Sequence, residues 1–272
     1  MVDPTPAEVR KWYEIERELS DRLRHARSRE ERQPLYGQVY GELAERVPYH
    51  PLVLRRDDAA ALAAAAAPPV RLLRSFATPQ TRFCEIGAGD AGVARGLAPF
   101  VSASLAVDVT DSMLSGAAVE GNFEFRTFDG LDTGLPPASI DLAYSNDVVE
   151  HLHTDDMLEQ TRNVAKILRP GGKYICVTPN RLSGPHDISR GFAEVADGFH
   201  LHEYSAHELV RALKRCGFRR VHVVLTLNGR RLSPELPGAV VAPVEGLLAL
   251  LPRRIRLPLA RGLAAVKVVG IR

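Results

Sequence analysis

The sequence predicts an α/β fold: a mostly parallel sheet of seven strands with helices on both faces, preceded by an N-terminal helical cap. Short apolar runs recur from residue 82 onward, and helical segments separate the early runs. Strands that alternate with helices pair in parallel, because each helix returns the chain to the same end of the sheet. The first run ends in a cluster of glycines before an amphipathic segment, which is typical of a strand–turn–helix unit.

The composition favours a globular protein with one large domain, or with a core and a smaller appendage. The chain has 272 residues, of which 45% are hydrophobic and 25% charged. A net charge of +2 gives no support to nucleic-acid binding. We expect a cytoplasmic protein with reduced thiols (Cys84, Cys176 and Cys216), since there is no secretion signal and no apolar run of about 18 residues.

Residues 1–70 are predicted to form the helical cap. Thr5–Glu8 carries a helix-start signature, with a Thr cap, a proline in the first turn and a glutamate three residues after the cap. We expect this first helix to reach about Arg32 and a second helix to run from Pro34 to Arg46. An alanine-rich third helix is expected to stop at Pro68.

The cap has two interpretations. It either supports the sheet by packing, or it forms a lid over a cofactor and acceptor pocket in the core of residues 71–272. Tyr49 and His50, which lie in a turn between prolines, are weak candidates for contacts with an acceptor.

The strands of the core are predicted from their apolar runs, and the last of them is expected to add antiparallel to its neighbour. The seven candidates are Arg82–Ile86, Ser104–Val107, Phe123–Arg126, Ile140–Tyr144, Tyr174–Val177, Val221–Leu227 and Ala265–Gly270.

Between the last two strands, residues 229–263 form an inserted lid or interaction segment. Within it, residues 244–261 combine leucines with four arginines, and no acidic residue follows Glu245. Such a stretch suits a lid, a contact in a homodimer or a peripheral contact with a membrane surface.

The glycine turn after the first strand indicates a nucleotide-like ligand. Gly87, Gly89 and Gly92 have the G-x-G-x-x-G spacing of a dinucleotide-binding turn. Glu85 and Asp90 crowd the same turn with carboxylates, which would repel a pyrophosphate but suit a ligand with an ammonium group. An NAD-dependent oxidoreductase is therefore the weaker of the two interpretations.

Acidic residues also follow the next strands, where ligands bind in doubly wound sheets. Asp108 can accept both hydroxyls of a ribose, and Asp129 can accept the amino group of an adenine. Each of them has a simpler interpretation as a helix cap or a turn former.

These motifs together resemble those of class I S-adenosylmethionine-dependent methyltransferases over roughly residues 80–228. The resemblance rests on E-x-G-x-G at residues 85–89, on the acids at successive strand ends, and on the Leu168–Lys173 turn. It implies a Rossmann-like fold and S-adenosylmethionine as the cofactor. The implied cofactor contacts are Glu85, Gly87, Ala88, Gly89, Asp90, Asp108, Val109, Asp129, Gly130 and Asn146.

The stretch after the fourth strand predicts the acceptor chemistry. If a helix begins at Asp147, then Asp147, Glu150 and His151 share one of its faces. With His200, this motif is similar to that of metal-dependent O-methyltransferases, which implies all four residues as ligands of Mg²⁺ or another divalent metal. The alternatives are a metal-free pocket in which His151 is the catalytic base, and a structural role.

The predicted function is methylation of a small-molecule hydroxyl on a natural product, sugar, quinone or lipid-like acceptor. His186 and Asp187, in the turn-rich loop after the fifth strand, are candidates to face that acceptor. An RNA 2′-O-methyltransferase is an alternative, but no cluster of basic residues flanks the motifs. A non-enzymatic module that binds the cofactor is a further alternative.

Overall fold

The computed structural model describes residues 4–55, 58–114, 116–227, 229–232, 234–260 and 265–272. The strands in chain order are β1 (Arg82–Ile86), β2 (Ala103–Asp108), β3 (Val119–Glu120), β4 (Phe123–Thr127), β5 (Ile140–Asn146), β6 (Leu168–Pro179), β7 (Arg220–Val223), β8 (Thr226–Leu227), β9 (Arg230–Arg231), β10 (Leu236–Pro237) and β11 (Ala265–Ile271). The helices are α1 (Pro6–His25), α2 (Arg29–Arg46), α3 (Pro51–Arg55), α4 (Ala59–Arg74), α5 (Gly92–Leu97), α6 (Thr154–Ile167), α7 (Ala206–Arg215), α8 (Gly238–Ala249) and α9 (Arg253–Ala260).

The central sheet has nine strands in the order β10-β7-β11-β6-β5-β1-β2-β4-β3. It is mixed, because β11 runs antiparallel to both β6 and β7, and the edge strands β10 and β3 are also antiparallel to their neighbours. The prediction of a seven-stranded, mostly parallel sheet was therefore wrong in its strand count. The two extra strands are only two residues long, too short to give an alternating pattern.

Helices pack on both faces of the sheet, as predicted. Along β1, Cys84 and Ile86 face a core layer shared with α1, α2, α6 and α7, whereas Phe83 faces a second layer shared with α4 and α5. Alternate side chains of a strand point to opposite faces, so a strand covered on both sides reads as a continuous apolar run. The three cysteines are buried and free.

The cap begins as predicted but its helices have different bounds. Thr5 and Glu8 form a capping box at the start of α1. That helix ends at His25, not near Arg32, because Ser28 caps a new helix by accepting a hydrogen bond from the backbone N–H of Glu31. Helix α4 continues through Pro68 and Pro69 to Arg74. The fixed φ of proline is compatible with a helix, although each ring removes a hydrogen-bond donor and crowds the carbonyl four residues earlier.

A buried ion pair fastens the cap to the core. Arg32 of α2 donates two hydrogen bonds to Asp156 of α6, at 2.6 and 2.8 Å, and Tyr36 donates a third at 2.8 Å. Burial alone would raise the pKa of Asp156, but these donors hold it below its usual value.

Helices α8 and α9 come from the segment predicted as an insert, and α8 packs on α7 and β7. None of the helices in the described residues is both long and apolar enough to cross a bilayer. The cytoplasmic location stays a prediction.

Candidate active site

A cavity of about 860 Å³ opens at the carboxyl ends of β1, β2 and β5, between the sheet and the cap. This is the edge at which ligands bind in doubly wound sheets. Its volume is sufficient for a cofactor of drug size together with part of a second molecule.

The glycine turn forms the floor of one half of the cavity. Gly87 and Gly89 both have positive φ angles, of 68° and 52°, a conformation that other residues adopt only with strain. A Cβ on Gly87 would lie 2.4 Å from a methyl carbon of Val148. Asp108 fixes the turn by accepting a hydrogen bond of 2.7 Å from the backbone N–H of Gly89.

Glu85 lines the cavity and also caps the helix that follows the glycine turn. Its carboxylate accepts a hydrogen bond of 2.8 Å from the N–H of Ala94, in the first turn of α5. Ala91 at the cap position supplies no such acceptor, so Glu85 caps this helix from the preceding strand. Burial raises the pKa of Glu85 to about 8.

The structure brings nine of the ten predicted cofactor residues to the cavity wall, all except Asp129. The nine are Glu85, Gly87, Ala88, Gly89, Asp90, Asp108, Val109, Gly130 and Asn146.

Asp129 does not line the cavity. Its side chain is exposed, and it accepts hydrogen bonds of 2.7 Å from the N–H groups of Leu131 and Asp132 and from the amide of Gln33. It therefore forms a local turn, while its neighbours Phe128 and Gly130 face the cavity.

In the other half of the cavity, three of the four predicted metal ligands meet. One donor atom from each of Glu150, His151 and His200 lies within 4.8 Å of the other two. His151 and His200 line the cavity, and Glu150 lies fully buried beneath them.

The hydrogen bonds of the two histidines fix which ring nitrogen is available. His151 Nδ1 lies 3.0 Å from the carbonyl oxygen of Phe199, which can only accept, so this nitrogen carries the hydrogen. His200 Nδ1 lies 2.8 Å from a carboxylate oxygen of Glu203. In its neutral form each ring keeps the Nε2 lone pair, the arrangement found in metal-binding histidines. Burial lowers the pKa of His200, but the hydrogen bond to Glu203 and the nearby carboxylates raise this pKa above its usual value.

Asp147 does not join this cluster, because the predicted helix does not begin there. Asp147 has a φ of 54°, and a single 3-10 turn over Val149–His151 precedes α6. The Asp147 carboxylate lines the cavity and accepts a hydrogen bond of 2.7 Å from the side-chain amide of Asn146.

Burial sets the protonation of the cluster. It lowers the pKa of His151 to about 3, with a further contribution from His200, so the imidazole is neutral near pH 7. Burial also raises the pKa of Glu150, and the neighbouring Asp147 adds to this rise. Among the described residues, Glu150 Oε1 has no hydrogen-bond partner.

The cap contributes polar groups to the cavity that the sequence pattern did not indicate. Glu16 of α1 is buried and accepts hydrogen bonds from the indole N–H of Trp12 and the backbone N–H of Phe199. Burial raises the pKa of Glu16 to about 7. His50 completes this wall, with its ring 4.8 Å from that of Trp12, whereas Tyr49 bonds to the backbone of α1 outside the cavity.

The ionisable groups around the cavity are mostly acidic side chains and histidines. His186 and Asp187 line it, as predicted for their loop. Six carboxylates border it in total, and among the described lining residues there is no lysine or arginine. The six are Glu16, Glu85, Asp90, Asp108, Asp147 and Asp187.

The sequence profile of the methyltransferase domain matches residues 37–223, which contain the glycine turn, the strand ends and the histidine cluster. The chain belongs to the methyltransferase family. The chain has curated relatives, among them a probable S-adenosylmethionine-dependent methyltransferase of Mycolicibacterium smegmatis, 36% identical over 99 residues. That match covers 36% of this chain and 36% of the relative, so it spans little more than a third of either protein.

Two solved structures resemble this chain in fold. An S-adenosylmethionine-dependent methyltransferase from Mesorhizobium loti has a TM-score of 0.53 at 20% identity, over 78% of this chain and 100% of that one. A chain of the complex between the Haloferax volcanii Trm112 methyltransferase activator and the putative methyltransferase has a TM-score of 0.54 at 18% identity, over 76% and 88%. At these identities the likeness shows the fold alone.

Proposed function

We propose that the protein transfers a methyl group from S-adenosylmethionine to a hydroxyl of an uncharged small molecule. The observation that carries this proposal is the continuity of one cavity, which joins the acidic glycine turn to the histidine cluster. A donor bound at the turn and an acceptor bound at the cluster would share one enclosed space. Holding two reactants in line supplies about 7–11 kcal/mol of a barrier at best.

In the donor half, carboxylates suit a cationic cofactor. S-adenosylmethionine carries an ammonium and a sulfonium, and Glu85, Asp90 and Asp108 lie on the wall it would contact. A bound cation would favour the ionised form of Glu85, whose pKa burial raises to about 8. Asp108 would accept the ribose hydroxyls, while the backbone near Gly89 approaches the cofactor without a Cβ in the way. The same carboxylates disfavour the pyrophosphate of NAD, which an oxidoreductase on this turn would need.

In the acceptor half, the charge pattern favours an uncharged acceptor. Carboxylates in a partly enclosed cavity repel phosphates and carboxylates, and no lysine or arginine among the described lining residues offsets them. This disfavours an RNA end, whose phosphates would enter the site with the acceptor hydroxyl. Residues 1–70 act in this proposal as a lid, because Trp12, Glu16 and His50 close the acceptor half.

His151 is proposed to act directly on the acceptor hydroxyl. Its Nδ1 donates a hydrogen bond to the Phe199 carbonyl, so Nε2 is the ring nitrogen that can accept a proton or bind a metal. A pKa of about 3 is far from the value near pH 7 that suits a strong general base. The neutral ring is, however, in the form that ligates a metal.

A divalent metal is the second element of the proposal, and the residues fit one. Two imidazoles with free Nε2 atoms, a buried carboxylate oxygen without a partner and the Glu203 support for His200 form a suitable donor set. Glu150, His151 and His200 would hold the ion, with Asp147 at the cavity wall nearby. When bound, such an ion supplies Lewis-acid activation of an acceptor oxygen.

The test is methyl transfer from radiolabelled S-adenosylmethionine to matched acceptors. Catechols and sugars are compared with their phosphorylated or carboxylated counterparts, each with and without a chelator. We expect transfer to neutral hydroxyls only. Chelator-sensitive transfer that a divalent metal restores supports the metal, and chelator-insensitive transfer removes it while leaving the methyltransferase proposal intact.

Two outcomes contradict the proposal at different levels. Transfer that favours the anionic member of each pair would reject the uncharged acceptor. A failure of the protein to bind S-adenosylmethionine, measured separately by calorimetry, would reject the donor and the proposal as a whole.

A further inference from the structure

The only charged residue of helix α8 faces the interior of the protein. That residue is Glu245, which is buried and accepts hydrogen bonds of 2.9 Å from the backbone N–H groups of Ala206 and His207 at the start of α7. The outward side of the helix is apolar, and its large side chains are all more than half exposed. They are Val240, Val244 and Leu247, continued just past the helix by Leu250.

This arrangement reverses that of an ordinary surface helix, which turns its apolar stripe to the core and its charges to water. The spacing of residues 240, 244 and 247 places them on one side of the helix. Leu247 is 68% exposed and Leu250 is 82% exposed, so the described part of the chain leaves them largely open. A continuous apolar patch of this kind marks a contact surface.

Helix α9 adds positive charge beside the apolar stripe. Its exposed side carries Ile255 and Leu259 together with Arg254, and Arg253 and Arg256 are partly exposed next to them. No aspartate or glutamate follows Glu245 in the sequence. Arg261, which belongs to the predicted basic segment, lies outside the described residues.

We propose that this surface docks on an anionic lipid membrane, with the leucines entering the interface and the arginines facing the headgroups. The surface, here the α8–α9 face, consists of Val240, Val244, Leu247, Leu250, Arg254, Ile255 and Leu259. Apolar burial and attraction between basic side chains and anionic lipids together give the affinity of peripheral membrane segments.

The charge decides between a membrane and a second copy of the chain. A two-fold contact through the α8–α9 face would bring the same patch of both copies together. The arginines of α9 would then approach each other, and the segment offers no exposed carboxylate to pair with them. An anionic lipid surface supplies that missing charge.

The α8–α9 face adjoins the acceptor side of the cavity. Arg256 donates a hydrogen bond of 3.1 Å to the carbonyl of Leu182, and Asn180 donates one of 3.2 Å to Glu245. The same loop continues to His186 and Asp187, which line the cavity. Docking would therefore hold this loop beside the lipid.

The experiment is flotation of the full chain with lipid vesicles, without cofactor or acceptor. Vesicles of phosphatidylcholine alone are compared with vesicles that also contain phosphatidylserine, at low and at high salt. We expect binding to the anionic vesicles only, and we expect it to weaken with salt because the attraction between exposed charges is screened.

Substitutions on the exposed side chains locate the surface without touching the core. Leu247→Ser with Leu250→Ser is expected to weaken vesicle binding by more than about tenfold, and Arg254→Gln by about fivefold. The matched controls lie outside the α8–α9 face. They are Val195→Ser, at a valine that is 77% exposed, and Lys11→Gln, at an exposed lysine on α1. Both controls are expected to bind like the unaltered protein.

Three results would overturn the proposal. One is the absence of binding to anionic vesicles at low salt, and another is a double leucine variant that still binds like the unaltered protein. The third is a chain that dimerises in solution and becomes monomeric in that variant, since a second copy would then be the occupant. None of these results depends on the methyl-transfer assay.

Discussion

Asp108 shows how one side chain can fix a turn and also offer itself to a ligand. One carboxylate oxygen accepts the N–H of Gly89, and the other lies 3.4 Å from the N–H of Thr110, while the group still lines the cavity. Asp108 is the last residue of β2, whereas Asp129, also an aspartate near a strand end, lies two residues beyond the end of β4. Its oxygens are used by a local turn, and its side chain faces solvent.

The two aspartates therefore form a matched pair for a binding experiment. Asp108→Asn is expected to weaken S-adenosylmethionine binding by about 10–100-fold, since charge-assisted hydrogen bonds are each worth about 1.5–3 kcal/mol. Asp129→Asn is expected to leave the dissociation constant within about twofold. Calorimetric titration of both variants makes the comparison, and equal effects would reject the role assigned to Asp108.

His151 is the residue whose loss separates chemistry from cofactor binding. His151→Phe is expected to lower kcat by about 10²-fold or more, because it removes the group proposed to act on the acceptor hydroxyl, as a base or as a metal ligand. The dissociation constant of S-adenosylmethionine should stay unchanged. His207→Phe, at an exposed side chain on α7, is the control and should retain full activity. A His151→Phe enzyme with normal kcat would remove this residue from the reaction.

At the scale of elements, the cap is fastened to the core by specific contacts and not by apolar packing alone. Arg32 and Tyr36 of α2 converge on Asp156 of α6, in a place where water is excluded. Arg24 of α1 donates hydrogen bonds to the carbonyls of Gly198 and His200, in the loop that carries the histidine of the cluster. The first two helices thus hold both the sheet side and the acceptor side of the cavity.

Breaking the buried pair should cost far more than breaking an exposed one. Arg32→Met leaves the buried Asp156 with only the more exposed Arg29, at 3.4 Å, as a cation, and is expected to lower the free energy of unfolding by up to about 3–5 kcal/mol. Arg46→Met removes the exposed pair with Glu18 and should cost about 0–1 kcal/mol. Denaturant unfolding measures both, and similar losses would contradict the structural role of the Arg32 pair.

The loss of stability in Arg32→Met should depend on pH, because the pKa of Asp156 is lowered in the folded protein. Arg32 helps to hold the pKa of Asp156 below its usual value, so the pair stabilises the protein above that usual pKa, about 3.9, and this contribution is lost as the pH falls through the lowered pKa. The difference between the unaltered protein and Arg32→Met should therefore be full at neutral pH and shrink in acid.

Local sequence predicted the elements whose signals are local. The glycine turn and the Thr5 capping box have short-range patterns and appear where the sequence placed them. The apolar runs predicted strands that all overlap observed ones, but β6 begins at Leu168 and not at Tyr174, and the predicted strand Val221–Leu227 is divided between β7 and β8. The edge strands β3 and β10 have no such pattern, since their pairing depends on partners elsewhere in the sheet. Asp147 was expected to start a helix, and the competing left-handed backbone at that residue has no signal that the sequence reveals.

The site was predicted only in part for the same reason. Glu16 could have been noticed, because it shares the helical stripe of Trp12, Leu19 and Leu23, where a charge is unusual. Its partner Phe199, however, lies 183 residues away, and no local pattern indicates that contact. Asp129 was selected by its position after a strand, which does not reveal whether a turn already uses its oxygens.

At the scale of the whole molecule, the strand ends of the sheet form the proposed donor half of one cavity. The N-terminal cap, the turn after β5 and the loop after β6 form the proposed acceptor half. The matched profile begins inside α2, at residue 37, so α1 lies outside the part of the chain by which the family is recognised. Yet α1 contributes Trp12 and Glu16 to the acceptor wall. The proposed acceptor wall therefore combines α1, which lies outside the matched profile, with the histidine cluster, which lies inside it.

The most direct test of the central claim is calorimetric titration of the unaltered full chain with S-adenosylmethionine, with NAD titrated in parallel. We expect saturable binding of S-adenosylmethionine at about one molecule per chain and no binding of NAD. The reason is that carboxyl groups line the turn at Gly89, and they do not hold a pyrophosphate. No binding of S-adenosylmethionine at millimolar concentration, or tighter binding of NAD, would contradict the central claim.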